Sequence, residues 1–286
     1  MSTPRIGVTF RPQNPPERLS ETARAAEHAG LDELWLWEDC FLESGIAAAA
    51  VALAVTDELD VGIGLLPVPL RNVALTAMEL ATVERLFPGR FVPVLGHGVQ
   101  EWMGQVGARV ASPLTLMREY VVALRRLLAG ENVSVEGRYV NLRDVQLGWP
   151  PASPPPLLIG ATKVKTFALA GEIADGTVLV SGTSPVELGT AVEQIGAPAG
   201  SHRVVQYLST AFGSDGAGRM AAQSEFWGWS ADGERWASGE PAEVAEAAAR
   251  WIAAGADVVV LEPTEPEPDL LGFVEQAGIV AELLRG

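Results

Sequence analysis

The sequence predicts an α/β protein folded as a closed (β/α)8 barrel, and three observations carry that reading. Short apolar runs recur eight times along the 286 residues, and they lack the polar alternation of half-exposed strands, as parallel strands covered on both faces do. Helical patterns alternate with these runs almost without interruption, the rhythm of a barrel. No G-x-G-x-x-G follows the first run, which weighs against the open dinucleotide-binding sheet.

The stretch from Leu59 to Gly98 shows the unit most clearly. Val61–Leu66 is a glycine-spaced strand, and a turn containing Pro67, Pro69 and Arg71 follows. A helix then carries Ala74, Ala77, Met78, Ala81 and Leu86 on its apolar positions. Pro88-Gly89 stops it, and the next strand, Phe91–Leu95, ends at Gly96-His97-Gly98. Before this unit come strands Arg5–Phe10 and Glu33–Trp37, with a helix over 17–29 closed by Gly30 and an Ala-rich helix over 45–56.

After His97 a glycine-containing loop leads to a helix over 113–128. Residues 130–156 break the rhythm: GENVSVEGRYVNLRDVQL reads as a β-hairpin, and WPPASPPP is too rich in proline to be helical. This is an excursion between strands four and five of one domain spanning 1–286, because the pattern then resumes. Leu157–Gly160, Thr177–Val180, Arg203–Phe212 and Asp257–Glu262 complete the eight strands, with helices over 165–173, 185–195, 243–254 and 270–284. Segment 213–240, with Gly213, Gly216, Gly218, Trp227, Trp229 and Trp236, is the least regular part and reads as a substrate lid or as a poorly packed loop.

Thirty-six acidic against 20 basic residues give a formal net charge of −16. Such a surface repels phosphate backbones and anionic membranes, so neither nucleic acid nor a membrane is an expected partner. The single cysteine, Cys40, rules out an intramolecular disulfide. The N-terminus lacks the pattern of a signal peptide and no apolar run approaches the ~18 residues of a membrane span, so a cytoplasmic protein is expected. The only two lysines, Lys163 and Lys165, fall in one turn.

In a barrel the chemistry lies at the C-terminal strand ends. These offer Thr9 and Arg11; Glu38, Asp39 and Cys40; His97; Lys163; Ser181 to Ser184; Gln206 and Ser209; and Glu262. Glu38 and Asp39 are adjacent, so at most one faces the mouth comfortably; the pair serves a ligand or braces a loop. His97, between two glycines, lines the site or is a satisfied loop histidine, and without a partner at ligand spacing no metal is expected. Gly160-Ala161-Thr162-Lys163 is the best anion site, since a small-residue turn entering a helix presents free N–H groups to a phosphate; an ordinary strand-to-helix turn is the alternative.

Taken together, AEHAGLDELWLWED (26–39), VGIGLLPVPLRNVALTAMELATVERLFPGRF (61–91), GHGVQEWMGQVG (96–107) and PLLIGATKVKTFALAGEIADGTVL (156–179) resemble the luciferase-like flavin-dependent oxidoreductases, particularly members that use the deazaflavin coenzyme F-420. The resemblance implies a TIM barrel, a homodimer, and coenzyme F-420 (8-hydroxy-5-deazaflavin) or FMN held at the mouth. It implies a bulge, often with a non-prolyl cis peptide, at Gly64-Leu65-Leu66 behind the ring. Gly96 and Gly98 neighbour it, and the cofactor phosphate falls at Gly160, Ala161, Thr162 and Lys163. Glu38, Asp39 and His97 are the implied catalytic set. Compared with a methylenetetrahydromethanopterin reductase-like pattern, Thr9 and Val99 stand where acids are expected, and Asp39 replaces a histidine. The implied activity is hydride transfer between F-420 and a small organic substrate. The alternatives are an FMN-dependent monooxygenase and a non-catalytic flavin-binding barrel.

Overall fold

The computed structural model describes residues 4–198, 200–229 and 233–286. Eight parallel strands close a barrel: β1 (Arg5–Phe10), β2 (Glu33–Leu36), β3 (Asp60–Pro67) and β4 (Phe91–Gly96) run in sequence. A two-stranded antiparallel ribbon, β5 (Val133–Glu136) with β6 (Asn141–Val145), then interrupts the barrel where the excursion was expected. The ring continues through β7 (Leu158–Gly160), β8 (Gly176–Leu179) and β9 (Arg203–Phe212). After a short β10 (Ala237–Gly239), the last barrel strand is β11 (Val258–Pro263). Pairing of β8 with β9, β9 with β11 and β11 with β1 closes the ring.

The helices supply the outer layer. α1 (Leu19–His28), α2 (Gly45–Ala54) and α3 (Val73–Leu86) cover the first strands, and α4 (Gln100–Gln105) and α5 (Pro113–Leu128) follow β4. α6 (Val164–Ile173), α7 (Pro185–Ile195), α8 (Gly216–Trp227), α9 (Pro241–Ala253) and α10 (Leu270–Arg285) complete it. Their starts follow helix-end chemistry. Ser184 and Glu187 form a capping box at α7, and the side chains of Ser44, Asn72 and Asp269 cap α2, α3 and α10.

Two expectations are corrected. Segment 213–240 is not irregular: it contains the three-turn helix α8 and the strand β10, which extends the sheet beside the end of β9. Residues 230–232 of that segment lie outside the described residues. The loop after β4 also holds a helix, α4, with the Val99 carbonyl at its start accepting from the Met103 N–H (3.0 Å).

Strand residues alternate between two cores. One set, including Ile6, Val8, Leu34 and Leu36, packs against the helices. The other fills the barrel with Trp35, Val92, Val94, Leu158, Val205, Tyr207 and Val260. At the N-terminal floor Arg5 donates to Glu33 (2.6 Å) and Asp60 (2.6 Å), Arg203 also pairs with Glu33, and the Trp35 indole donates to the second Glu33 oxygen (2.9 Å). Every charge there has a partner, so the floor is a sealed plug. Among the described residues no helix is long and apolar enough to cross a membrane.

Candidate functional site at the C-terminal mouth

The mouth is shaped first by β3. Its pairing with β4 slips between Ile63 and Leu66, and the Gly64–Leu65 peptide is cis, the bulge that the resemblance implied. Leu65 is partly buried and packs against the inner core of the barrel. Leu66 turns the other way and is buried among the helix-facing residues, so it supports the bulge without reaching the mouth.

Leu65 lies flat across two neighbouring strands. A Cβ on Gly96 would stand 2.2 Å from Leu65 Cδ2, and one on Gly160 would stand 2.6 Å from the same atom. Gly64 is equally constrained, since a Cβ there would meet the Tyr207 hydroxyl at 2.2 Å. Leu65 thus forms a hydrocarbon ridge bordered by side-chain-free backbone. Gly98 carries a positive φ of 66° in the turn after β4.

The turn after β7 lies beside this ridge. Ala161 is buried and its N–H donates to Val178 O (3.1 Å). Thr162 and Lys163 are exposed, and Lys163 caps α6, its carbonyl accepting from the N–H groups of Thr166 and Phe167. The first amides of α6 have no intrahelical partner and face solvent-accessible space, as at any helix start. A cavity of about 440 Å³ opens here, lined by Ala161, Thr162, Ser181, Gly182, Trp229 and Arg235 among others. His97 is drawn to the same helix, its Nε2 lying 3.3 Å from Thr166 Oγ1. Its Nδ1 is buried without a partner, and burial lowers its pKa, favouring the neutral ring.

The adjacent acids divide as their alternation requires. Glu38 turns outward. Arg71 binds it through two nitrogens (2.5 and 3.2 Å) and the Gly45 N–H at the start of α2 donates to it (2.8 Å). Its carboxylate is therefore engaged in bracing α2 and α3. Asp39 stands on the mouth side, where burial raises its pKa and the Arg11 charge opposes the rise. Cys40 is half-buried and precedes a second cis peptide, to Phe41. Burial, then Glu38 and Asp39, push its thiol up, the opposite of what a nucleophile needs.

Sequence reasoning named Arg11, Ser181 and Glu262 as strand-end residues without selecting them, and the structure gathers them beside Asp39. Arg11 is buried; it donates to Pro263 O (3.1 Å) and Glu265 (2.7 Å) and lies 5.2 Å over the Trp37 ring. Glu262 accepts from Ser181. Trp37 and Tyr207 meet edge-on at 6.2 Å. The Thr9 hydroxyl, screened from solvent, has no hydrogen-bond partner, whereas the Tyr207 hydroxyl accepts from the Trp37 indole N–H. The mouth thus combines an apolar ridge, an amide-rich helix start and unpaired polar atoms, a setting suited to a flat, partly polar ring with an anionic tail. These residues fit a flavin or deazaflavin. Among the described residues no three His, Cys, Asp or Glu side chains gather to hold a metal.

Residues 1–258 match the luciferase-like monooxygenase family. A 5,10-methylenetetrahydromethanopterin reductase of Methanolobus tindarius is 31% identical over 195 residues, 68% of this chain and 59% of that relative. The match therefore spans little more than half the length of that curated relative. Among solved structures, an F-420-dependent secondary alcohol dehydrogenase in complex with an F-420–acetone adduct superposes with a TM-score of 0.88 at 19% identity, over 100% of both chains. The oxygenating constituent of 3,6-diketocamphane monooxygenase from Pseudomonas putida, solved with FMN, gives 0.78 at 15% identity over 99% of this chain and 98% of that one. The two structures share the fold, and the sequence match over most of the chain places it: the protein belongs to the luciferase-like monooxygenase family.

Proposed function

We propose that the protein is an oxidoreductase that moves a hydride between coenzyme F-420 and a small organic substrate. The observation that carries this reading is the Leu65 ridge over Gly96 and Gly160, set beside the start of α6. The ridge suits the back face of a tricyclic ring. Val164 and Lys165 amides, Thr162 and Lys163 suit its tail phosphate. The cofactor supplies the hydride chemistry when bound; the chain's task is to bind, orient and keep water away. Asp39, after β2, and neutral His97, after β4, flank the bulged end of β3 and serve as contacts to the ring or substrate, while Glu38 braces. Trp229, which packs against Gly182, and the exposed Phe226 and Trp227 at the end of α8 cover the substrate side. The names of the related proteins, which include F-420-dependent enzymes, support the choice of cofactor.

A side-by-side titration of the purified protein with F-420 and FMN tests the proposal. Micromolar binding of F-420 is expected, and binding of FMN alone would refute it. That refuting outcome would favour the second reading, a monooxygenase using reduced FMN and oxygen, which the FMN-bound relative supports.

The reading includes a homodimer. Leu75, Met78 and Leu86 are exposed along one face of α3, with Val122 exposed on neighbouring α5, an apolar stripe of the kind that subunit contact buries. Sedimentation showing a monomer at micromolar concentration would remove the dimer.

A further inference from the structure

Glu262 is the most deeply placed acid of the mouth, and its ion pair with Arg11 is a loose one. It is 6% exposed. Ser181 donates to its Oε2, whereas its Oε1 lies 3.7 Å from Arg11 Nη1, beyond hydrogen-bond reach. Arg11 spends its fork elsewhere, on Pro263 O and Glu265. Compare Glu33 at the barrel floor, both of whose oxygens are held by Arg5, Arg203 and Trp35. A carboxyl kept only to hold the fold together would be bound like Glu33.

The surroundings of Glu262 point to a ligand. One step beyond the last paired residues of β1 and β11, Val8 and Leu261, stand Thr9 and Glu262. Thr9 is 0% exposed and its hydroxyl has no partner, while Tyr207, 5% exposed, pairs with the Trp37 indole. A buried, unpaired hydroxyl beside a carboxyl oxygen that makes no hydrogen bond leaves polar capacity that nothing in the protein uses. Resting on the proposed hydride transfer, we propose that Glu262 is the catalytic proton carrier, exchanging a proton with the heteroatom of a carbonyl or imine substrate.

The step balances. The substrate carbon would take hydride, with both electrons, from a bound reduced deazaflavin. The C=O or C=N π pair moves onto the heteroatom, which takes the proton of the Glu262 carboxyl, and the alcohol or amine results. The carboxylate left behind faces Arg11 and Ser181 and regains a proton from water; oxidation runs the same path backwards. The groups facing Glu262 allow this cycling. Burial pushes its carboxyl up, Arg11 and then Ser181 hold it down, and Asp39 adds to the rise, so its charge is poised between opposing influences. Tyr207 is pushed far above its ordinary range by burial and stays a neutral hydroxyl.

The test uses the full chain and two readouts. Infrared difference spectroscopy of the cofactor-free protein, wild type minus Glu262→Gln, should show a protonated-carboxyl band near neutral pH; its absence overturns the proposal. Single-turnover reduction of a ketone or imine by F-420-reduced protein should slow roughly 10²–10⁴-fold in Glu262→Gln, the range of general acid catalysis, with F-420 affinity kept within about threefold. Ser181→Ala should raise the carboxyl's apparent titration point, because it removes a hydrogen bond to the charged form. An unslowed turnover, or lost affinity and melting temperature with an unchanged pH profile, would make Glu262 a brace and overturn the assignment. If wild type binds no F-420, the proposed function fails by itself, while the infrared band still decides whether Glu262 holds the proton.

Discussion

The Leu65 ridge makes a demand that a double-mutant cycle can check. In Gly96→Ala the new Cβ would sit 2.2 Å from Leu65 Cδ2, 1.2 Å short of the 3.4 Å at which ordinary contact begins, with Cδ1 at 2.4 Å and Cγ at 2.7 Å. The backbone at Gly96 is not in the left-handed region, so the conflict lies with Leu65 alone. The obstructing atoms belong mostly to a side-chain tip, which can rotate away, and overpacking of this kind costs about 1–3 kcal/mol. Melting temperature should fall by roughly 2–4 °C per kcal/mol. The larger effect should be on binding: a Leu65 pushed off the ridge removes the ring's back wall, and a loss of about tenfold in F-420 affinity, 1.4 kcal/mol, is expected. In a Leu65→Ala background the two Cδ atoms and Cγ are gone, and the same Gly96→Ala should then be nearly neutral in stability. Thermal denaturation and cofactor titration of the four proteins give the coupling energy, expected at about 1–3 kcal/mol. Effects that add within about 0.5 kcal/mol would refute the placement of Leu65.

Gly62→Ala should be worse than Gly96→Ala, because its Cβ would meet three carbons of the buried Trp35 ring at 2.5 to 2.7 Å and an indole locked in the core cannot swing aside; a loss of about 3 kcal/mol in chemical denaturation is expected. Glu38→Gln should lower stability by about 1–3 kcal/mol through its Arg71 and Gly45 contacts and leave single-turnover hydride transfer within about threefold; a large kinetic loss at unchanged stability would make Glu38 catalytic. Lys163→Ala should weaken F-420 about tenfold, more at low salt than at high, and unchanged affinity would remove it from the phosphate site. Arg235, followed by the Ser184 N–H and hydroxyl, holds the Glu187 carboxyl at about 2 against an ordinary 4.5. The folded value is depressed, so this contribution is complete above about pH 5 and disappears as pH falls toward 2. Because the side chain is about half exposed, the effect is small; Glu187→Gln should flatten the acid limb of the melting curve slightly, and an unaltered limb would count against the pairing.

All eight barrel strands were legible because burial on both faces leaves an unambiguous mark, runs such as Val61–Leu66 and Val258–Leu261 with no polar alternation. The excursion was legible from its prolines. Segment 213–240 was not: three glycines at its start mask a helix whose stability comes from packing on β9 and β10 rather than from propensity, and its aromatic end is exposed. Among site residues, alternation said that one of Glu38 and Asp39 faces the mouth but not which; the Arg71 contact that decides it reaches across 33 positions. Arg11 and Glu262 were on the strand ends yet carried no local signal, since they become neighbours only when β11, near the end of the chain, pairs with β1.

The two ends of the barrel answer why the site lies where it does. At the floor Glu33 is 0% exposed, and Arg5, Arg203 and the Trp35 indole together satisfy both its oxygens. At the mouth the Thr9 hydroxyl and His97 Nδ1 are screened from water and unpaired, each a cost of about 1–3 kcal/mol if nothing pairs with it. The simplest account is that the partners arrive with the ligand. Binding should then stabilise the protein by more than the ridge contacts alone supply, and should do so through these atoms. Thr9→Val removes an orphaned donor, so it should leave the cofactor-free protein as stable as wild type or more so. It should also shrink the rise in melting temperature that saturating F-420 produces. A loss of stability without ligand would show that the hydroxyl already has a partner, and the mouth would then be ordinary barrel packing.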